Sequence, residues 1–356
     1  MFAKHWVKLT LMTLFGLAII VASCSEDPLE PVIVDIGGTL EVTHISPAEG
    51  EAILIDGNPG GPDIIWEEAK EFMVVVQDSI SRNGFTGYIS IVKMRALTDS
   101  TYFYLLVEWE DPTRDVQPDR WVYTDALGGK SQDVGGQDFF VAMFQEGAVG
   151  DTGLDCYQMC HLRDEGPYSI MRNDSPGMVD AWTWKSGQTD PVSTLEDKHL
   201  PADDTVLSDQ THGGAAFVWE DNHFAEEPEW MHRDSLYYTG DFLFNSEKVG
   251  WRRGFYDVDS NLFWWPEGAI IPGYVLGDSV VHYEDESLWE IEAKGTHDEA
   301  TGVWQLELKR KLDTGFEDDI PFVLGELFNC TIGVTDNPAD NSSHEHYGSD
   351  PFMIQF

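Results

Sequence analysis

Short runs of aromatic and β-branched residues, separated by turn residues, recur along most of the chain. The runs YISIVKMRALTD (88–99) and TYFYLLVEWED (101–111) meet at a TDS turn and predict a β-hairpin. Long helical periodicity is missing, although PDIIWEEAKEF (62–72) predicts one short helix. The pattern therefore predicts an all-β protein, a β-sandwich of many short strands. Further strand-like runs lie at 137–144, 303–312, 327–337 and 351–356.

The middle of the chain, about residues 145–300, has a different pattern. It is rich in Trp, Gly, Asp and His and has few strand-like runs. We expect long inserted loops draped on the sandwich, because long ordered loops usually carry a site. Its aromatic side chains would line a cofactor crevice, form a sugar platform or, in their ordinary role, pack the loops onto the sheet. The tryptophans concerned are Trp182, Trp184, Trp219, Trp230, Trp251, Trp264 and Trp265.

The N-terminal segment reads as an export signal. Lys4 and Lys8 precede an apolar run, and the small residues VASC end at Cys24. This pattern resembles a bacterial lipoprotein signal, so residues 1–23 would be removed and Cys24 lipidated, whereas an ordinary signal peptide is the alternative. Ser25 after the cysteine favours the outer membrane, with the protein on its periplasmic or cell-surface face. We predict an acidic tether over 24–45 and one domain over 46–356.

The formal net charge of −43 narrows the choice of partners. Such an acidic chain would be repelled by a phosphate backbone, which argues against nucleic acid. The acidity fits a salty medium, and it would also steer basic redox partners.

The segment GLDCYQMCHLRDEG (153–166) carries the main candidate chemistry. Cys156 and Cys160 are followed directly by His161, which is the order of a c-type haem attachment site, although the usual spacer is two residues rather than three. Two thiols can bind the two vinyl groups of one porphyrin, and the adjacent imidazole can bind its iron. A Cys156–Cys160 disulfide is the main alternative, and a zinc site lacks a second cysteine pair. Cys330 would be a small buried residue.

A haem iron usually takes a second axial ligand, whose identity sets the redox potential. Sequence candidates are two methionines, one lysine and two late histidines. Each also has an ordinary role, core packing for methionine and an exposed polar position for lysine and histidine. The candidates are Met143, Met178, Lys185, His344 and His346.

Several segments together resemble the ethylbenzene-dehydrogenase-type haem-binding domain, related to the γ subunits of ethylbenzene and dimethyl sulfide dehydrogenases. ILIDGNPGGPDIIWEEA (53–69) is similar to the opening of a DOMON-like or carbohydrate-module-9-like sandwich. MRALTDSTYFYLLVEWEDPTRD (94–115) resembles the family signature. The resemblance spans roughly 46–356. Later landmarks that match in order are VDAWTWKSG (179–187), IIPGYVLGDS (270–279), GVWQLELKRKLDTG (302–315) and IGVTDNPADNSSHEHYGSDPF (332–352).

The resemblance implies a sandwich that holds one haem and passes electrons. In the γ subunits the haem is b-type, bound by methionine and lysine. The methionine would fall near Met143, and the lysine near His344 and His346, where this chain offers histidine. The cysteine pair with His161 departs from that pattern, as in c-type relatives, and implies one covalent haem c on Cys156 and Cys160.

These observations lead us to expect a lipid-anchored c-type monohaem cytochrome that transfers electrons, with His161 as one axial ligand and Met143 or His346 as the other. Signatures of an enzyme in its own right are missing from the sequence, so we expect a redox partner, such as a molybdenum oxidoreductase or another cytochrome. The alternative is a carbohydrate- or small-ligand-binding sandwich without haem, with Cys156 and Cys160 in a disulfide.

Overall fold

The structure is a computed structural model, and its described residues all belong to the unit Ile36–Phe356. These residues are 38–60, 64–77, 90–118, 120–122, 131–132, 136–145, 154, 177–200, 219–221, 230–232, 243–244, 246–250, 255–257, 262–264, 270–276, 290–336 and 345–356. Within this part of the chain, no helix is long and apolar enough to cross a membrane.

Thirteen of the strands form one large sheet. They are β1 (Thr39–Glu41), β2 (Thr43–His44), β3 (Phe72–Gln77), β4 (Ser90–Thr98), β5 (Tyr102–Glu110), β8 (Phe139–Gln145), β9 (Val179–Lys185), β10 (Glu196–Leu200), β19 (Glu292–Asp298), β20 (Val303–Lys311), β21 (Leu327–Asp336), β22 (Glu345–Ser349) and β23 (Phe352–Gln355). The main path runs β10-β9-β8-β21-β22-β3-β4-β5-β20-β19, while β1, β2 and β23 pair beside it.

Smaller sheets use short strands from the rest of the chain. Their strands are β6 (Trp121–Val122), β7 (Ser131–Gln132), β11 (Trp219–Asp221), β12 (Trp230–His232), β13 (Leu243–Phe244), β14 (Lys248–Gly250), β15 (Phe255–Asp257), β16 (Leu262–Trp264), β17 (Ile270–Ile271) and β18 (Tyr274–Leu276). Helical structure among the described residues is limited to α1 (Pro47–Gly50) and two 3₁₀ helices, Ile64–Glu68 and Asp190–Val192.

The large sheet curls until its two ends meet. Thr194, just before β10, forms an antiparallel bridge with Glu292 of β19. The Thr194 hydroxyl also donates to the carbonyl of Ile291 at 2.8 Å, and the amide of Ala293 donates to Ser193 O at 3.2 Å. The sheet therefore encloses its own core between a β8–β10 half and a β3–β5 half, which confirms the predicted all-β sandwich.

The core is built largely from aromatic side chains of both halves. Trp109 of β5 stacks on Phe140 of β8, with ring centroids 6.2 Å apart, and on Trp304 of β20 at 6.1 Å. Trp182 and Trp184 of β9 are fully buried in the same core, so packing is the role of these two tryptophans. Cys330 is buried there with a free thiol, as predicted, and burial raises its pKa.

The predicted strands agree with the structure, and the predicted hairpin is β4–β5. Asp99 closes its turn by accepting bonds from the amides of Thr101 and Tyr102, while Ser100 has a φ of 73°. The predicted loop region is wrong for three stretches, because β9, β10 and β19 belong to the large sheet. The sequence hides β9 because residues on both of its faces are buried, which removes the polar alternation of a surface strand.

An N-terminal segment closes part of the outer surface of the β3–β5 half. Trp66, from the 3₁₀ helix that matches the predicted helix, donates from Nε1 to Glu307 Oε1 at 2.8 Å. Glu307 Oε2 accepts from the amide of Gly57 at 2.8 Å. Gly57 has a φ of 77°, and a Cβ there would lie 2.6 Å from Thr296 Oγ1, so this tight turn requires glycine.

Candidate functional site

Strand β8 carries apolar side chains on both of its faces. Phe140, Ala142 and Phe144 point into the main core. Val141 and Met143 belong to a second cluster on the opposite side of the sheet, which we call the β8–β10 outer face. Its other members on the strands are Val179, Ala181 and Leu200. The outer face of a sandwich is normally polar, so an apolar outer face indicates that another group covers it.

Leu154 is the described residue that links this face to the cysteine motif. Met143 is fully buried, and Leu154, with 1% exposure, packs in the same cluster. Cys156 follows Leu154 by two residues, so it starts within about 7 Å of it along the chain. Cys156, Cys160 and His161 themselves lie outside the described residues, as does Cys24. Leu154, two residues before the motif, thus lies on the face that holds Met143.

The sheet beside Met143 and Val141 is lined by small residues. Met143 lies opposite Thr331 of β21 and Ala181 of β9. Val141 lies opposite Gly333, which in turn pairs with Gly348 of β22. Small side chains therefore surround Met143 on this face, and Met143, Ala181 and Thr331 are all fully buried.

A buried ionic group borders the same face. Lys185 Nζ lies 2.6 Å from Glu196 Oε1, and Lys198 Nζ lies 2.7 Å from Glu196 Oε2. Burial alone would raise the pKa of Glu196, but the two ammonium groups outweigh it and hold that pKa at about 2. Burial lowers the pKa of Lys185, which Glu196 opposes. Glu196 is therefore ionised across the physiological pH range and holds both lysines.

The other predicted iron ligands have different positions. Met178 packs against the main core rather than in the cluster around Met143. His346 is in β22 opposite Thr335, four residues along β21 from the partner of Met143, a separation of about 13 Å along the strand. The side chain of His346 and all of His344 lie outside the described residues. The structure thus brings Met143, and not Met178, to the face where Leu154 packs.

A second buried charged group lies on the inner side of β9. Arg310, with 1% exposure of its side chain, contacts Asp180 and Asp319 at 3.2 Å and Glu290 at 3.6 Å. Burial raises the pKa of Asp180 to about 6 and that of Glu290 to about 7, and it raises the pKa of Asp197 as well. These carboxyls therefore share protons around one arginine. Sequence inspection missed this group, because its members lie far apart along the chain.

Three aspartates gather at the end of the sandwich where β5, β8 and β21 meet. Asp111, Asp138 and Asp336 bring carboxylate oxygens within 4.8 Å of one another, a spacing that a metal ion could bridge. Asp138 Oδ2 accepts bonds from Trp304 Nε1 and from the amide of Asp115. Burial, followed by the charge of Asp336, raises the pKa of Asp111 to about 7. Carboxylates held this close to one another favour protonation or a cation over a fully ionised state.

The outer face of the β3–β5 half has an open groove of about 640 Å³. Its floor includes Lys93, Glu108 and Gln305, and the Gln305 amide donates to Glu108 Oε1 at 2.7 Å. Ile91, 44% exposed, lies in the same groove. The floor is thus mixed polar and apolar, in contrast to the apolar β8–β10 outer face.

Fold and site together define an all-β sandwich with a buried methionine on an outer face, next to the start of a Cys-Cys-His segment. The chain belongs to the ethylbenzene dehydrogenase family, whose model matches residues 63–347. The match spans both halves of the sandwich and includes Met143 and the cysteine motif. This confirms the family resemblance noted in the sequence. No curated protein matches the chain.

Two solved structures share the general arrangement at very low identity. One is a proposed carbohydrate-binding protein from Bacteroides uniformis, 7% identical, with a TM-score of 0.37, 90% of this chain and 100% of that chain covered. The other is a family 9 carbohydrate-binding module from Caldicellulosiruptor kristjanssonii in complex with glucose, 8% identical, with a TM-score of 0.33, 89% and 95% covered. At these scores the two likenesses add nothing to the account of the site.

Proposed function

We propose that this protein is a c-type monohaem cytochrome that transfers electrons outside the cytoplasm. The observation that carries the proposal is the position of Leu154, which packs in the cluster of Met143 and precedes Cys156 by two residues. The order Cys-x-x-x-Cys-His supports covalent attachment. Membership of the ethylbenzene dehydrogenase family supports a haem-binding sandwich, as the resemblance to the γ subunits implies.

The described residues fit a haem of this kind. A thioether sulfur lies in a buried apolar cluster, and small residues lie beside it. Cys156 and Cys160 would form the thioether links, His161 would be one axial ligand and Met143 the other, with His346 as the alternative. Bound haem supplies one-electron oxidation and reduction at its iron.

The chain's own residues would set how readily the iron is reduced. The Met143 side chain is fully buried, and Val179, Ala181 and Leu200 belong to the same buried cluster. Water is therefore kept from the methionine sulfur. A dry, apolar surrounding disfavours the extra positive charge of oxidised iron, and methionine ligation acts in the same direction. We therefore expect a higher midpoint potential than in a variant whose sixth ligand is water or histidine.

The membrane anchor and the partners are part of the same proposal. Cys24 would be lipidated after removal of residues 1–23, which would tether the domain to the outer membrane through the acidic segment 24–45. The electron partner would be a second redox protein, such as a molybdenum oxidoreductase or another cytochrome. The protein would act as an electron carrier and not as an enzyme in its own right.

The absorption spectrum of the signal-less protein tests the proposal. It would be produced in bacteria with cytochrome c maturation genes, reduced, and then run on a denaturing gel with a haem stain. We expect a sharp reduced α-band and a stain that survives denaturation in the wild type and disappears in Cys156→Ala/Cys160→Ala. Colour lost on denaturation would contradict covalent attachment, and a colourless protein beside a working maturation control would contradict the cytochrome itself.

The open groove of the β3–β5 half supports a second candidate, a carbohydrate- or small-ligand-binding module. Its volume of about 640 Å³ lies within the usual range of small-ligand pockets. Glu108 and Gln305 offer hydrogen-bonding groups, and Ile91 offers an apolar surface. In this case Cys156 and Cys160 would form a disulfide. A colourless protein that binds sugars, and loses binding in Gln305→Ala, would favour this candidate.

A further inference from the structure

Two lysines occupy a partly buried position in a strongly acidic protein. The chain has 21 Lys and Arg residues against 64 Asp and Glu residues. Lys185 and Lys198 nevertheless flank a single carboxylate, Glu196, and their side chains are only 19% and 20% exposed. The group of three carries one net positive charge. A local excess of partly buried positive charge favours the binding of a compensating anion.

The two ammonium groups retain unused donors among the described residues. Each ammonium has three N–H donors. The contacts found are one oxygen of Glu196 for each lysine and a ring contact between Lys185 and Phe139 at 5.9 Å. Each oxygen of Glu196 contacts one lysine, which leaves further N–H donors of each ammonium directed away from Glu196. The site is therefore suited to a further anionic group with several oxygen atoms.

The lysines lie on the side of the sheet that carries Met143. Lys198 is opposite Ala181, and Ala181 is opposite Met143, so Lys198 is two strands away in the same row, at about 10 Å. Lys185 is opposite Phe139, four residues along β8 from Met143, at about 13 Å. Both lysines thus border the face on which the proposed haem would lie. Their distances from Met143 would place them near the edge of that haem rather than at its iron.

We propose that Lys185 and Lys198 bind the propionate carboxylates of the haem on the β8–β10 outer face, with Glu196 holding both ammonium groups in position. This inference rests on the proposed function. The chemistry is that of paired carboxylates meeting paired ammonium groups in a region of low water content, where charge-assisted hydrogen bonds are strong. It assigns a binding role to Lys198 and Glu196, and it assigns Lys185 to the periphery of the haem rather than to its iron.

Removing a lysine alone would leave the negative charge of Glu196 without one of its partners. The test must therefore separate the effect of the missing lysine from the effect of that charge. Glu196→Gln is therefore the parent, and Lys185→Met/Glu196→Gln and Lys198→Met/Glu196→Gln are compared with it. The matched control is Lys70→Met/Glu41→Gln, an ion pair at 3.2 Å between β1 and the residues that precede β3, away from β10. Resonance Raman spectra report the bending modes of the propionates, and a redox titration reports the midpoint potential.

We expect each double variant to shift a propionate bending mode and to lower the midpoint potential relative to the parent, because a cation beside the haem disfavours oxidised iron. The control pair should change neither quantity. Lys185→Arg and Lys198→Arg, which keep the charge, should retain a potential close to that of the wild type.

Unchanged propionate modes and unchanged potentials in both double variants would overturn the inference. Loss of the low-spin spectrum in Lys185→Met/Glu196→Gln would instead identify Lys185 as an iron ligand and would also overturn it. All variants are first checked for covalent haem by stain and for folding by circular dichroism. A wild type without covalent haem defeats the proposed function, whereas a red wild type with unresponsive lysine variants defeats the propionate assignment alone.

Discussion

The two outer faces of the sandwich differ in polarity and in what covers them. On the β3–β5 half, part of the face is covered by the N-terminal segment through Trp66, and the rest is a groove of mixed polarity with Lys93 and Glu108 on its floor. On the β8–β10 half, the face carries buried Met143 and small neighbours, and the described residue that covers it is Leu154 of the inserted segment. The face of the β3–β5 half is thus partly covered by the chain's own side chains and partly exposed.

The two faces also differ in how completely the chain covers them. Along β9, Val179 and Ala181 face outward yet are as buried as Trp182 and Trp184, which face the core. A strand buried on both faces is expected only where both faces are covered. Both faces of β9 are therefore covered by the protein itself.

The largest effect should come from truncating Leu154. Leu154→Ala should lower the free energy of unfolding by about 2–5 kcal/mol, because it removes a fully buried leucine from the cluster of Met143. The matched variant Ile91→Ala, at a 44% exposed position on the other half, should change it by about 0.5 kcal/mol or less. Denaturant unfolding of both variants measures the difference. Equal effects would mean that the two outer faces do not differ as described.

An intermediate effect on the free energy of unfolding should appear at acidic pH, where Glu196 becomes protonated. The folded pKa of Glu196, about 2, lies below its ordinary value of 4.5, so its stabilisation is complete above 4.5 and is lost as pH falls toward 2. The shift corresponds to a stabilisation on the order of 3 kcal/mol. Wild type should therefore lose stability over this interval more steeply than Glu196→Gln.

Urea unfolding between pH 5 and pH 2.5 is the measurement for this prediction. Glu41→Gln, which removes the exposed partner of Lys70 beside β3, is the control and should follow the wild-type pH dependence. Parallel curves for wild type and Glu196→Gln would contradict the assignment of a tightly held carboxylate beside the β8–β10 outer face.

The smallest effect on stability should come from an exposed ion pair on the β3–β5 half. Lys70→Met/Glu41→Gln should change the free energy of unfolding by about 1 kcal/mol or less, because the two side chains are 57% and 61% exposed. Rising salt should weaken this pair further. A loss of several kcal/mol would show that this half depends on its outer charges as strongly as the β8–β10 half depends on its buried ones.

Much of the sandwich could be predicted from local patterns, whereas the site could not. Strand β5 is rich in aromatic and branched apolar residues, and β20 contains alternating apolar and polar residues. Both patterns are visible in the sequence and predict strands. Strand β10, EDKHL, contains four polar residues in five, and only its pairing with β9 explains their burial. Met143 was a candidate from its position on a strand. Leu154 carried no signal, because its partners come from residues far along the chain.

The axial ligation of the iron tests the central claim most directly. A methionine bound to reduced haem iron gives strongly upfield-shifted side-chain resonances in the proton NMR spectrum, owing to the ring current of the porphyrin. We predict these resonances in the reduced wild type, their loss in Met143→Leu and their retention in His346→Ala. Their presence in Met143→Leu, or their absence from a red wild-type protein, would contradict the placement of the haem on the β8–β10 outer face with Met143 at its iron.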